Sequence, residues 1–269
     1  TTRDVNELPP ALLSRMSVIQ FNPLTPRELG QIARGAAQRL AIDVEEQAIS
    51  TVAHHAIDGR EAVRLLLSAY GCALQADGRV SRARVEEALE AFAMNELPSA
   101  PLSRAGVVSA LGVAGRYGCV LGLEALVYDG PGDVSINEAA GSMARDAARH
   151  AVTAVNRLTG GKFEGKSVVF NCMGGGNVNG PSIGLAAAIA AYSALKGVPV
   201  DGKIAMTGEI SLSGEILPVG GIHEKMQAAL RAGCTRVLLP AVNEPRSRGW
   251  GVNIAAVSHL KEALALLHI

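Results

Sequence analysis

A proline-punctuated stretch, Leu97-Pro-Ser-Ala-Pro-Leu-Ser103, separates two segments whose apolar residues repeat with different periods. Proline fixes φ and removes a backbone donor, so neither a regular helix nor a central strand runs through such a sequence. The stretch reads as a linker, and 269 residues suit two domains. Before it, apolar residues recur at helical spacing. Thr25 and Pro26 read as an N-cap and first-turn proline ahead of PRELGQIARGAAQRLA, with a short helix near Pro10–Arg15 upstream. Three more helices are expected, over about Val44–Ala56, Arg60–Ala76 and Ser81–Phe92, with Asp58-Gly59 and Asp77-Gly78 as turns and Arg79-Val80 as a brief strand.

After the linker the pattern mixes periods. Val107–Val113, Val120–Tyr128, Lys166–Cys172, Lys203–Leu212, Leu217–Val219, Arg236–Pro240 and Val252–Val257 read as strands. Asn137–Leu158, an Ala-rich run from Pro181 to about Leu195, His223–Ala232 and His259–Leu267 read as helices. The fold class expected is α+β, with a small all-helical unit in front. Apolar residues at 48% supply the core, and aromatics at 3% make it aliphatic.

Several functions are excluded by what the core leaves over. Lys plus Arg balance Asp plus Glu at 25 each, so nucleic acid is not indicated as a partner. The longest apolar run, Leu185 to Leu195, is too short to span a bilayer, and no membrane partner is expected. Cys72, Cys119, Cys172 and Cys234 form no CxxC pair, which argues against zinc or a disulfide framework and fits a reducing cytoplasm. His223-Glu224 starts like HExxH, but Gln227 stands at the second histidine position. No initiator Met or signal peptide is seen, so the chain reads as starting inside a longer protein.

The informative segment is Gly174-Gly-Gly-Asn-Val-Asn-Gly180-Pro181-Ser182, between an apolar strand and the Ala-rich helix. Its spacing imitates a phosphate loop, yet Pro181 occupies the lysine position, where an ammonium and a backbone donor are required. What remains is a serine at a helix start, where free N–H groups and a positive partial charge can hold an oxyanion. The plain alternative is that Ser182 only caps the helix. A nucleophilic serine needs a base, and no histidine offers itself. Lys225, near the start of a helix and flanked by apolar residues, could serve if burial lowers its pKa; otherwise it is a solvated surface lysine.

Residues 167–245 resemble the proteolytic domain of the Lon family of ATP-dependent proteases. GGGNVNGPSIG is similar to the motif around the family's nucleophile, and MTGEISLSGEILPVGGIHEKMQAALRAG to the block that carries its lysine. The resemblance implies a Ser–Lys dyad of Ser182 and Lys225, 43 residues apart, with Thr207 bonding the lysine amine. Gly180 and Pro181 lead into the nucleophile, and Asn179 stands where the soluble bacterial B-type members commonly have an acid; Ile183 replaces their alanine. If position 179 lies near Lys225, the uncharged Asn would leave the lysine more readily neutral; equally, Asn179 could merely support the turn.

The first segment extends the likeness. Residues 1–25 resemble the end of a AAA+ ATPase core and 26–96 its helical lid, so 104–269 would be the proteolytic domain. The match assigns Arg15 as arginine finger and Arg64, in Gly59-Arg-Glu-Ala-Val-Arg64, as the sensor-2 residue. No Walker A or B motif occurs, so the chain should need no cofactor and hydrolyse no ATP, although ATP and Mg would act in the full-length protein. Unfolded polypeptides are the substrates implied, in a homo-hexameric ring. Two rival expectations are a catalytically silent ring subunit and a Ser–Lys hydrolase of small esters or amides.

Overall fold

The computed structural model describes residues 9–17, 19, 21, 24–91, 103–114, 117–137, 140–173, 179–247 and 250–269. Residues 97–102 of the expected linker, Phe92 and residues 174–178 of the glycine loop lie outside these.

Helix α1 (Pro10–Leu13) is a single turn, and α2 (Pro26–Arg39) begins with the expected cap. Thr25 accepts from the Glu28 N–H while its own N–H donates to the Glu28 carboxylate at 2.7 Å, a capping box with Pro26 in the first turn. α3 (Glu46–His55) follows, and α4 (Gly59–Ala73) is capped by Asp58, which accepts from the Glu61 N–H at 2.9 Å. α5 (Arg82–Ala91) completes a core of its own with the apolar stripes of α2 to α4, centred on Leu29, Val52, Leu66 and Val85. The strand expected at Arg79-Val80 is a single parallel bridge between Val44 and Val80.

The remainder is built on one sheet. Strands β1 (Val107–Ala114) and β2 (Tyr117–Asp129) form an antiparallel pair; β3 (Val134–Ile136) was not foreseen in the sequence. α6 (Ser142–Leu158) leads to β4 (Lys166–Met173), and a 3-10 turn, Pro181–Ile183, opens α7 (Gly184–Lys196). Then come β5 (Ile204–Met206), the short hairpin β6 (Glu209–Ile210) and β7 (Ile216–Leu217), and α8 (Ile222–Arg231). β8 (Arg236–Pro240), α9 (Glu244–Ser247), β9 (Asn253–Val257) and α10 (Leu260–Leu267) finish the chain.

The seven-stranded order is β3-β4-β2-β1-β5-β8-β9, antiparallel from β4 to β1 and parallel elsewhere. Side chains alternate across it. Val108, Leu123, Met206 and Leu238 face α6, α7 and α10, whereas Leu111, Val120, Val237 and Leu239 face α8. The result is α+β, with helices on both faces of a mixed sheet. Helix α7 is apolar all round because it lies buried in the first of these cores; every residue from Gly184 to Ala191 is buried.

Two departures from the sequence reading bear on function. The long helix expected from Asn137 begins at Ser142, because Asn137 is taken up by β4: its N–H donates to Phe170 and its amide to the Cys172 carbonyl. The strand expected over 203–212 breaks after Met206. Thr207 still donates its N–H to Leu238 in the sheet at 3.0 Å, but Gly208 pairs with the turn before α7, donating to the Ser182 carbonyl at 3.0 Å and accepting from the Leu185 N–H at 2.9 Å.

Candidate active site

Ser182 sits in the 3-10 turn at the mouth of an open cleft of about 760 Å³. Its position is fixed twice. Gly208 holds its carbonyl, and the turn packs so closely on β6 that a Cβ at Gly184 would stand 2.9 Å from the Ile210 nitrogen. Only glycine permits that approach. The Gly184 N–H closes the turn onto the Pro181 carbonyl, so the N–H groups of Ser182 and Ile183 precede the first bonded amide of the helix. They are the donors available to a developing oxyanion.

Lys225 enters the same cleft from the first turns of α8. It is 3% exposed, and its ammonium donates to Thr207 Oγ1 at 3.0 Å. Thr207 Oγ1 in turn donates to the Ser182 carbonyl at 3.4 Å, so one chain of contacts joins lysine, threonine and the serine backbone. Burial pushes the Lys225 pKa down to about 8, against the smaller opposing pull of Cys119 and Glu224. A lysine with that value is neutral in a useful fraction of molecules near neutral pH.

The cleft's remaining wall is the end of β1. Leu111–Ala114 pair with β2, while the pairing of β1 with β5 covers Ser109 and Ala110 alone. The strand edge beyond Ala110 faces the cleft, and Val113 lines it. β2 is pressed onto α8 where a Cβ at Gly118 would overlap the Glu224 carbonyl. This contact brings Cys119 beside Lys225 and raises the thiol's pKa by burial.

A sequence model of the Lon protease (S16) C-terminal proteolytic domain matches residues 80–265. The chain belongs to the Lon protease family. Lon protease 2 of Bacillus subtilis (strain 168) is 30% identical over 286 aligned residues, which cover 98% of this chain and 52% of that protein. Lon protease 1 of Sorangium cellulosum (strain So ce56) is 31% identical over 89% of this chain and 28% of its own length. Lon protease 2 of Thermus thermophilus is 32% identical over 88% of this chain and 33% of its own length. The chain thus spans about half or less of the relatives it matches. Its proteolytic-domain match supports a protease function.

Within this Lon-family domain the residues singled out from sequence separate into two groups. Ser182, Lys225, Gly180, Pro181 and Asn179 line the cleft, and Thr207 is bonded into it. Asn179 is exposed and its side chain lies against Gly141, at the start of α6. The influences on Lys225 come instead from burial, Cys119 and Glu224. Arg15 and Arg64 are outside the cleft. Arg15 is exposed just after α1, and Arg64, 61% exposed, pairs with Glu61 at 3.2 Å. The sequence reading missed Cys119 and Glu209, both in the cleft wall. A lone cysteine in a strand gives no signal, whereas Glu209 stood inside the quoted MTGE motif.

Proposed function

We propose that this chain is the proteolytic part of an ATP-dependent serine endopeptidase acting on unfolded polypeptides through a Ser182–Lys225 dyad. The observation that carries the reading is the buried Lys225, bonded to Thr207 and opening into the same cleft as Ser182. The Ser182 hydroxyl attacks the scissile carbonyl, and neutral Lys225 accepts its proton and returns it to the leaving amine. The N–H groups at the head of the turn hold the oxyanion. Thr207 orients the lysine amine. An extended polypeptide can add to the open edge of β1, as strands add to sheet edges elsewhere, which suits an unfolded substrate better than a small ester.

The whole enzyme would be a homo-hexameric ring in the cytoplasm, with ATP and Mg acting on an ATPase core. The residues of this chain that fit nucleotide are Arg15 and Arg64, exposed guanidiniums able to reach phosphate oxygens held by other segments. They bind charge and do not themselves form a phosphate cradle.

The test is hydrolysis of a fluorogenic peptide and of unfolded casein by this chain beside Ser182→Ala and Lys225→Ala. Both variants should be inactive, since the two groups act as a unit. Full-rate cleavage by either removes the dyad. Labelling of Ser182 by a fluorophosphonate without peptide cleavage would favour the small-molecule hydrolase, and no labelling the silent subunit.

A further inference from the structure

Helix α8 works on two sides. Lys225 serves the cleft, while His223, Gln227 and Arg231, spaced four residues apart, form one stripe along the helix. That stripe meets the junction between α3 and α4. His223 is hydrogen-bonded to the Ile57 backbone, and the Gln227 amide donates to the Ala56 carbonyl. Arg231 lies in the field of the Glu61 carboxylate and helps to depress the pKa of His55, behind the larger effect of that ring's burial. Gln227 is 1% exposed and Glu61 6%, so these polar groups meet inside the molecule. Arg231 also donates to the Gly118 carbonyl at 3.3 Å, on the strand that roofs the cleft beside Cys119. The segment Ala56–Glu61 therefore touches α8 along its length and, through Arg231, reaches the cleft roof.

We infer that Gln227 and Arg231 are positioning residues through which the segment Ala56–Glu61 of the helical part holds Lys225 in its place in the cleft. The inference rests on the reading of Lys225 as the base. Lys225 is kept from water by the seating of α8 against β1 and β2. If the 227 and 231 side of the helix loses its anchorage, water reaches the amine and the ammonium is favoured. The ionisable groups around Lys225 are Glu224 on α8, Cys119 on β2 and Glu209 in the cleft wall, and a change in the anchorage alters none of them.

The experiment uses the full chain with Gln227→Leu and Glu61→Gln. Neither residue lines the cleft, and a glutamine at 61 can still accept from the Ile57 N–H, as Glu61 does at 2.8 Å. Three readouts are taken: kcat and KM against pH, the melting temperature, and the pH titration of the Lys225 Cε resonance by NMR. The expected result is a Lys225 midpoint and a rising limb displaced upward by about one pH unit, hence a loss in kcat at pH 7 of about tenfold with KM unchanged. Arg231→Lys, which keeps a cationic donor, should retain most activity where Arg231→Met does not. An unmoved Lys225 midpoint in Glu61→Gln overturns the inference, as does activity lost only in proportion to stability. The titration reads Lys225 whether or not the chain cleaves peptides. A wild type without cleavage therefore counts against the protease reading, and an unmoved midpoint against this one.

Discussion

Lys225 is expensive to bury as an ammonium, and that expense is what makes it usable as a base. Its pKa stands at about 8, and activity requires the neutral amine, so kcat/KM should rise with pH through a limb near 8. A limb left near the 10.5 of an ordinary lysine would mean that the amine is solvated during turnover. Asn179 gives a sharper comparison. Its side chain lies against Gly141 before the first turn of α6, so an aspartate there faces a helix N-terminus, where negative charge is favoured. Asn179→Asp should leave the limb in place. A limb displaced to higher pH in that variant would show a carboxylate acting on Lys225 after all.

Among the elements, the contact of β2 with α8 decides whether the cleft exists. Adding a methyl at Gly118 drives it into the Glu224 carbonyl, one residue from the lysine. Gly118→Ala should lower stability by about 1–3 kcal/mol and cut kcat, read by thermal melts and peptide hydrolysis. Gly35, inside α2 with open space around its Cβ position, is the control. Gly35→Ala should stabilise by about 0.5–1 kcal/mol with activity unchanged. These elements were unequally legible in the sequence. Helix α2 announced itself because its cap and its apolar stripe are local signals, and α7 because an apolar Ala-rich run after Gly-Pro-Ser has few other fates. The break after Met206 was not legible, since the continuing apolar residues favour a strand and the partner that captures Gly208 is the distant Ser182 carbonyl. Ser182 and Lys225 stood out by motif, but Lys225's burial depends on α8 meeting β2, a tertiary fact. The role of Cys119 follows from the same contact and had no local trace.

At the scale of the molecule, the helical part and the sheet part each hold a separate apolar core, joined by the polar contacts of α8. Arg15 and Arg64 project from the first part without a phosphate-binding loop to serve. The purified chain should therefore turn over no ATP and gain no peptidase rate from it, checked by phosphate release and by cleavage with and without nucleotide. Measurable ATP turnover would mean the helical part has been misread. The all-round burial of α7 has one more consequence. A helix enclosed on every side exchanges its amide protons only when the whole domain opens, so its amides should be among the slowest in hydrogen–deuterium exchange. The serine at its head would then be among the last features lost as the protein ages, heats or is nicked at its surface. A chain that still displays an intact nucleophile can already have lost its lysine's seat. Active-site labelling and turnover would then report different lifetimes for the same molecule.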